Sequence, residues 1–460
     1  MDTTDETDAE TFTGVEVVDD AGAPSPEADP ADGGAGRDAD AAITAGGDAD
    51  GDEAMGDDGD GEGDGEADDH EEPELDLENL GVDDSSPVRD DAIHICTAHT
   101  GAVYAVASVG PIIATGSGDD TGALLTADPA VAGVAAAGAV GDAPPAGVLY
   151  SLARTAGLGE SVSCVGLSAD GAYAAYGVEN GVVAVRGVGG ADGQGVTLFE
   201  ESTAAINFVA FHPRGPVLLA GDADGTGWLI NAATASFMAV FAGHAGAVTC
   251  GRWAPHGRTA VTGCADGAVR VWNPKAATVA VTVSNELGNY HPDGVGIVGI
   301  DVHPGGDATP VGASGGDDGS VFLWSAATGK VLTRVPPHGD SAEAVTFAPG
   351  GGEHLVSGAL DGTLRVWDVV VGAERGAMAH DAGVTCAVWH PTDVGLLLSG
   401  SLDRTLRLWD ARAGGRAVGV WRGHTKAVLD VAWGGGGGTP YSASDDGTVR
   451  VWDMRRTGGD

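Results

Sequence analysis

Five copies of one motif, in which a turn aspartate precedes a tryptophan by six residues, recur along this chain: Asp266/Trp272, Asp318/Trp324, Asp361/Trp367, Asp403/Trp409 and Asp446/Trp452. Fainter copies keep the same register, with Leu125, Arg186 and Ile230 in the tryptophan place. The eight anchors are separated by 61, 44, 42, 52, 43, 42 and 43 residues, so five gaps share one period and two need only inserted loops. A period near 40–45 residues means that no unit can bury its own apolar face alone, and stacked neighbours must build the core.

Inside each unit the pattern is β. In the stretch GTVRVWD, Val449 and Val451 point one way while Arg450 and Trp452 point the other, and the preceding Asp-Gly is a hairpin turn. Upstream lie a histidine and an alternating run ending in aromatic-x-Pro, as in HAGAVTCGRWAP and HDAGVTCAVWHP. The unit therefore resembles the WD repeat, four short strands forming one blade of a propeller. The spacing predicts an all-β fold, a single closed eight-bladed WD-repeat β-propeller.

That resemblance implies a hydrogen-bonded tetrad in each blade. Complete sets are expected at His244, Thr262, Asp266 and Trp272; at His338, Ser357, Asp361 and Trp367; at His380, Ser399, Asp403 and Trp409; and at His424, Ser442, Asp446 and Trp452. The first unit has His99, Thr115 and Asp119 without the tryptophan. In the fifth, His291 lies two residues too early for Ser314 and Asp318. Units two and three, with Tyr176 and Ala220 in the hydroxyl place, are expected to rely on apolar packing and to be the softest blades.

The last unit ends soon after Trp452-Asp453, without its outer strand, whereas an unclaimed alternating strand precedes His99. Residues 92–98 are therefore expected to pair with the last blade and close the ring, removing the exposed edges of an open array. This divides the chain into a tail, 1–91, and a propeller, 92–460.

The tail holds 34 of the 68 Asp/Glu against Arg37 and Arg89 alone, with little apolar residue to bury, which predicts disorder. Its Asp58-x-Asp60-x-Glu62-Gly63 run, with Asp69 in the twelfth place, matches a calcium loop in outline but lacks flanking amphipathic helices. A formal charge of −46 argues against binding a phosphate backbone and favours a basic protein or peptide. The five cysteines show no CxxC spacing, so neither a disulfide framework nor a zinc site is expected. Neither a signal peptide nor a spanning segment is evident, so a cytoplasmic protein making no membrane contact is expected. The sequence carries no catalytic constellation, metal site or cofactor motif, so it reads as a non-enzyme and as a monomer.

The stretch FHPRGPVLLAGDADGTGW at 211–228, together with SLDRTLRLWDARAGGRAV at 401–418 and the acidic tail, is similar to the angio-associated migratory cell protein family. That resemblance implies a chaperone that captures a newly made, basic large-subunit ribosomal protein for ribosome assembly. The alternative is a general interaction scaffold, such as a signalling adaptor or a ubiquitin-ligase substrate receptor. In WD propellers the partner-reading positions are the third and fifth residues after the histidine and the residue before the turn aspartate. Here they supply four acids (Glu179, Asp317, Glu343 and Asp445) and two apolar anchors, Tyr104 and Leu429, with no base among them.

Overall fold

The computed structural model describes residues 90–455 apart from 128–149, 156, 190–194, 286–287, 293, 306–310, 352 and 414–415. The chain divides into two units, Met1–Gly81 and Val82–Asp460, and the described residues fall in the second. The disorder expected of the tail and its calcium-like run lie outside the described residues.

Among the described residues, thirty-two strands form eight four-stranded antiparallel sheets. Seven sheets take their strands in sequence order and form blades 1 to 7, spanning 103–155, 162–199, 206–242, 248–283, 297–335, 344–379 and 384–421. Blade 8 is different. Its three C-terminal strands, between Val428 and Val451, are completed by His94–Cys96, which runs antiparallel to Val449–Val451.

Burial follows strand position. The second strand of each blade is covered on both faces and reads as an unbroken small-and-apolar run, as in Leu396–Ser401, LLLSGS. The fourth strand lies outermost and alternates, as in Ala373–Ala379. Eight buried clusters result, one at each seam between neighbouring blades. Trp272 of blade 4, for example, stacks on Phe241 of blade 3 with centroids 4.7 Å apart and planes 2° from parallel. The core is thus a ring of interfaces, as a stacked repeat requires.

Polar bonds reinforce the seams from inside. The indole Nε1 groups of Trp253 and Trp389 donate to the carbonyls of Ala210 and Thr346 in the preceding blade, at 3.0 and 3.1 Å. At the closing seam the Val106 N–H donates to Asp430 Oδ2 (2.9 Å), and Ser108 Oγ donates to the Trp433 carbonyl (2.6 Å).

The closure reaches further upstream than the sequence boundary. Asp90 and Asp91, assigned above to the tail, already engage blade 8. Arg450 Nη1 donates to Asp90 Oδ2 at 2.6 Å, and the Asp91 N–H donates to the Arg422 carbonyl at 2.8 Å. Arg450 is itself buried, so a carboxylate partner is required beside it.

Candidate interaction face and blade tetrads

Two blades carry the tetrad in full. In blade 7, His380 Nδ1 lies 2.9 Å from Asp403 Oδ2, His380 Nε2 lies 2.7 Å from Ser399 Oγ, and Trp409 Nε1 donates to that same hydroxyl at 2.8 Å. Blade 8 repeats the set through His424, Asp446, Ser442 and Trp452 at 2.8, 2.7 and 2.9 Å.

The other tetrads are modified. In blade 6, Ser357 joins His338 and Trp367, but the His338–Asp361 link lengthens to 3.6 Å and Thr363 Oγ1 takes the imidazole at 2.9 Å. In blade 4, Thr262 joins His244 and Trp272, while the His244–Asp266 separation is 4.0 Å and Arg270 bonds to both residues. Cys264 brings a thiol into the same cluster, which makes three potential metal donors. Arg270 already supplies the positive charge there, and the thiol donates to the Gly246 carbonyl, so the chain's own groups bind the cluster.

Three expectations need correction. His291 does occupy the blade 5 tetrad place: its Nε2 lies 3.1 Å from Ser314 Oγ, and Ser320 relays its Nδ1 to Asp318. Tyr290 lends its hydroxyl to Ser314 at 2.7 Å, and the fully buried Trp324 indole N–H finds no acceptor among the described residues. Blade 3 does not rest on apolar packing alone. Asp222, 1% exposed, accepts from Ser202 Oγ and Trp228 Nε1, each at 2.8 Å, where Asp224 was the expected turn acid. Blade 2 keeps a polar link too, from Asn180 Nδ2 to the Leu158 carbonyl at 2.8 Å.

Burial depresses all six tetrad imidazoles, and takes His244 and His291 to about 4. Burial alone would raise Asp403, but bonds from His380, Thr405 and the Asp381 N–H outweigh it and hold the carboxyl well below its usual range. Both kinds of group bind more protons when unfolded, so each loses stability as pH falls. Asp430, raised to about 6 by burial, acts in the opposite sense. Six imidazoles outweigh it, each pKa unit being worth about 1.4 kcal/mol. The thermal midpoint is therefore expected to drop between pH 7 and pH 5 in calorimetry, more steeply in Asp430→Asn. A flat midpoint would contradict the neutral-imidazole network.

The rim carrying the histidine and turn-aspartate ends has one repeated geometry. In all eight blades the residue before the expected turn-aspartate place (Asn180 in blade 2, Asp224 in blade 3) donates its N–H to the carbonyl three residues after the expected histidine place, which in blade 5 is two residues past His291. Gly118 donates to Ala102, Glu179 to Ser161 and Asp445 to Ala427, at 3.0, 3.0 and 3.1 Å. The expected partner-reading positions therefore come in bonded pairs.

The fifth positions split into two sets. Ser163, Asn207 and Thr385 donate to the next blade's Ile206, Val248 and Val428 carbonyls at 2.8, 3.0 and 2.7 Å, and Thr249 does the same to Ile297. These four are engaged as fasteners between blades. Tyr104, Val298, Glu343 and Leu429 are not, and they lie in two sectors, one on blades 8 and 1 and the other on blades 5 and 6.

In the first sector Tyr104 is 38% exposed, and burial, then the charges of Glu179 and Asp445, raise its phenol above its usual range, so Tyr104 lies within the field of both carboxylates. Glu179 is exposed and Leu429 half-buried. Asp445 is paired: Lys426 Nζ sits 3.2 Å from its carboxylate, so a base does reach this rim. In the second sector Asp317 is exposed and accepts the Gly296 N–H at 3.0 Å. Glu343 accepts Ser341 Oγ at 2.8 Å and lines the central channel, a space of about 750 Å³.

Five stretches of the chain match the family description "WD domain, G-beta repeat": 193–230, 235–273, 329–368, 375–410 and 415–453. The chain is a WD-repeat β-propeller. The matched stretches cover blades 3, 4, 6, 7 and 8.

Among relatives, the human angio-associated migratory cell protein is 29% identical over 324 residues, 66% of this chain and 70% of the relative. Among solved structures, Chaetomium thermophilum Sqt1 is 22% identical with a TM-score of 0.68, covering 80% of this propeller's chain and 98% of that one. The same Sqt1 bound to the N-terminus of the ribosomal protein L10 is also 22% identical, with a TM-score of 0.67 over 80% of this chain and all of that one. Among the described residues, no helix is long and apolar enough to cross a membrane.

Proposed function

We propose that this propeller is a non-enzymatic protein-binding platform in the cytosol. In this proposal it acts as a chaperone that takes up the basic N-terminal segment of a large-subunit ribosomal protein of the L10 type. The observation that carries the reading is the placement of acids and apolar groups on one rim. Tyr104, Leu429, Glu179 and Asp445 gather around blades 8, 1 and 2, and Asp317 and Glu343 lie on blades 5 and 6. An extended segment lying across the channel mouth would meet apolar surface flanked by carboxylates at both ends. The likeness to an Sqt1 solved with the N-terminus of L10 supports the same partner class.

The field of a −46 chain would draw a basic segment in from a distance, and salt would screen that attraction. Titrating a synthetic peptide of this organism's L10-type N-terminus tests the reading. Saturable binding is expected, with an association rate that falls about tenfold or more from 50 to 300 mM salt. Failure of the peptide to bind at low salt would overturn the proposed partner.

A further inference from the structure

On the outer flank between blades 2 and 3, Phe199, Glu201, Trp228 and Phe237 border a shallow cleft of about 10 Å³, with room for no more than one water molecule. The rings pack edge to face, Phe199–Phe237 at 5.1 Å and Trp228–Phe237 at 5.8 Å. Phe237 is 37% exposed, Trp228 is half-buried, and Glu200 and Glu201 are exposed beside them.

The register of the ring makes Trp228 unusual. Its equivalents are Arg270, Arg365, Arg407 and Arg450, each paired across the sheet with the tetrad hydroxyl residue, as Trp228 is with Ala220. Blade 5 also has an aromatic there, Phe322, and its own outer strand lays a cation on it: Arg334 pairs with Phe322, and its guanidinium carbon sits 5.5 Å from the ring centroid. In blade 3 the residue opposite Trp228 is Val240, 46% exposed and uncharged, and no described cation lies over the indole. The indole is also held in place, because its N–H is bonded to the buried Asp222 carboxylate. That bond fixes the plane and pushes electron density into the ring, which strengthens attraction for a cation.

We propose that the Trp228–Phe237 surface at the mouth of this cleft binds an arginine or lysine side chain supplied by a partner, laid on the indole as Arg334 is laid on Phe322 in blade 5. Guanidinium fits best, since its planar, weakly hydrated group stacks on an indole while donating to Glu201. The site is separate from the acidic rim and does not depend on what that rim binds.

The probe is N-acetyl-arginine methylamide, with the citrulline analogue as its neutral isostere, observed by NMR saturation transfer and by the upfield ring-current shift of the side-chain methylenes. Saturable binding of the arginine probe is expected, at least threefold stronger than that of the citrulline analogue. Val240→Arg, which installs the internal cation, should weaken it at least threefold. Trp228→Arg should abolish it while leaving the fold intact, because four blades already carry arginine there. Phe237→Ala provides a milder check. Equal binding of both probes, unchanged binding to Val240→Arg, or loss of binding in a variant of the four rim acids instead of the cleft variants would overturn the proposal. Failure of the L10-type peptide to bind would leave this outcome untouched, so the two readings fail separately.

Discussion

Removal of residues 1–98 should lower the thermal midpoint by about 5–10 °C and expose an aggregation-prone edge, whereas removal of residues 1–85 should leave the midpoint unchanged. The longer truncation deletes His94–Cys96, uncovers Val449–Val451 and takes the buried Cys96 out of the seam cluster shared by blades 8 and 1. It also deletes Asp90, which leaves Arg450 buried without its carboxylate. Asp90 is itself exposed, so the pair is only part-buried and its loss costs less than that of a fully buried one. The shorter truncation keeps all of these contacts. Equal midpoints for the two proteins, measured by calorimetry at one concentration, would refute closure by the N-terminal strand.

Replacing Glu179, Asp317, Glu343 and Asp445 together by alanine is expected to weaken binding of the L10-type peptide about 100-fold or more while the protein folds normally. Each acid should contribute roughly 0.5–2 kcal/mol, because docking excludes water around the pairs it forms. Folding should be spared because the backbone-to-backbone bonds tying each turn to the inner strand remain, and only the side-chain bonds of Asp317 to the Gly296 N–H and of Glu343 to Ser341 are lost with Lys426's pairing to Asp445. Asp445 gives the smallest single effect, since a partner must first displace Lys426. Deleting residues 1–85 should instead slow association and leave dissociation nearly unchanged, because long-range attraction acts on encounter and not on the docked state. If the fourfold variant binds the peptide as tightly as the unaltered chain at physiological salt, the rim is not the site.

Much of the ring was legible in the sequence. The Asp-to-Trp register set the blade count, and the tetrad implied by the resemblance to WD repeats located Thr262, Ser357, Ser399 and Ser442 at the bonds they make. These features are local: a turn, a strand and a fixed offset place the groups within one sheet. Irregular blades were misjudged for the same reason. His291 reaches Ser314 because the loop after it absorbs two extra residues, and no offset rule anticipates a loop's path. Asp222 takes the role expected of Asp224 because Ser202, on the connection from blade 2, and Trp228, on the next strand, both meet it.

What the sequence determined by itself was the repeat: its period, its strand alternation and the excess of acid that makes basic partners the favoured class. Only the tertiary structure decided which rim groups remain available. Ser163, Asn207, Thr249 and Thr385 occupy the same repeat position as Tyr104 and Glu343, yet they are spent on carbonyls of the next blade about forty residues away in the chain. A repeat pattern records what each unit contains. It is silent on the bonds between units, which depend on how far one strand's carbonyl stands from its neighbour's hydroxyl once the ring has closed.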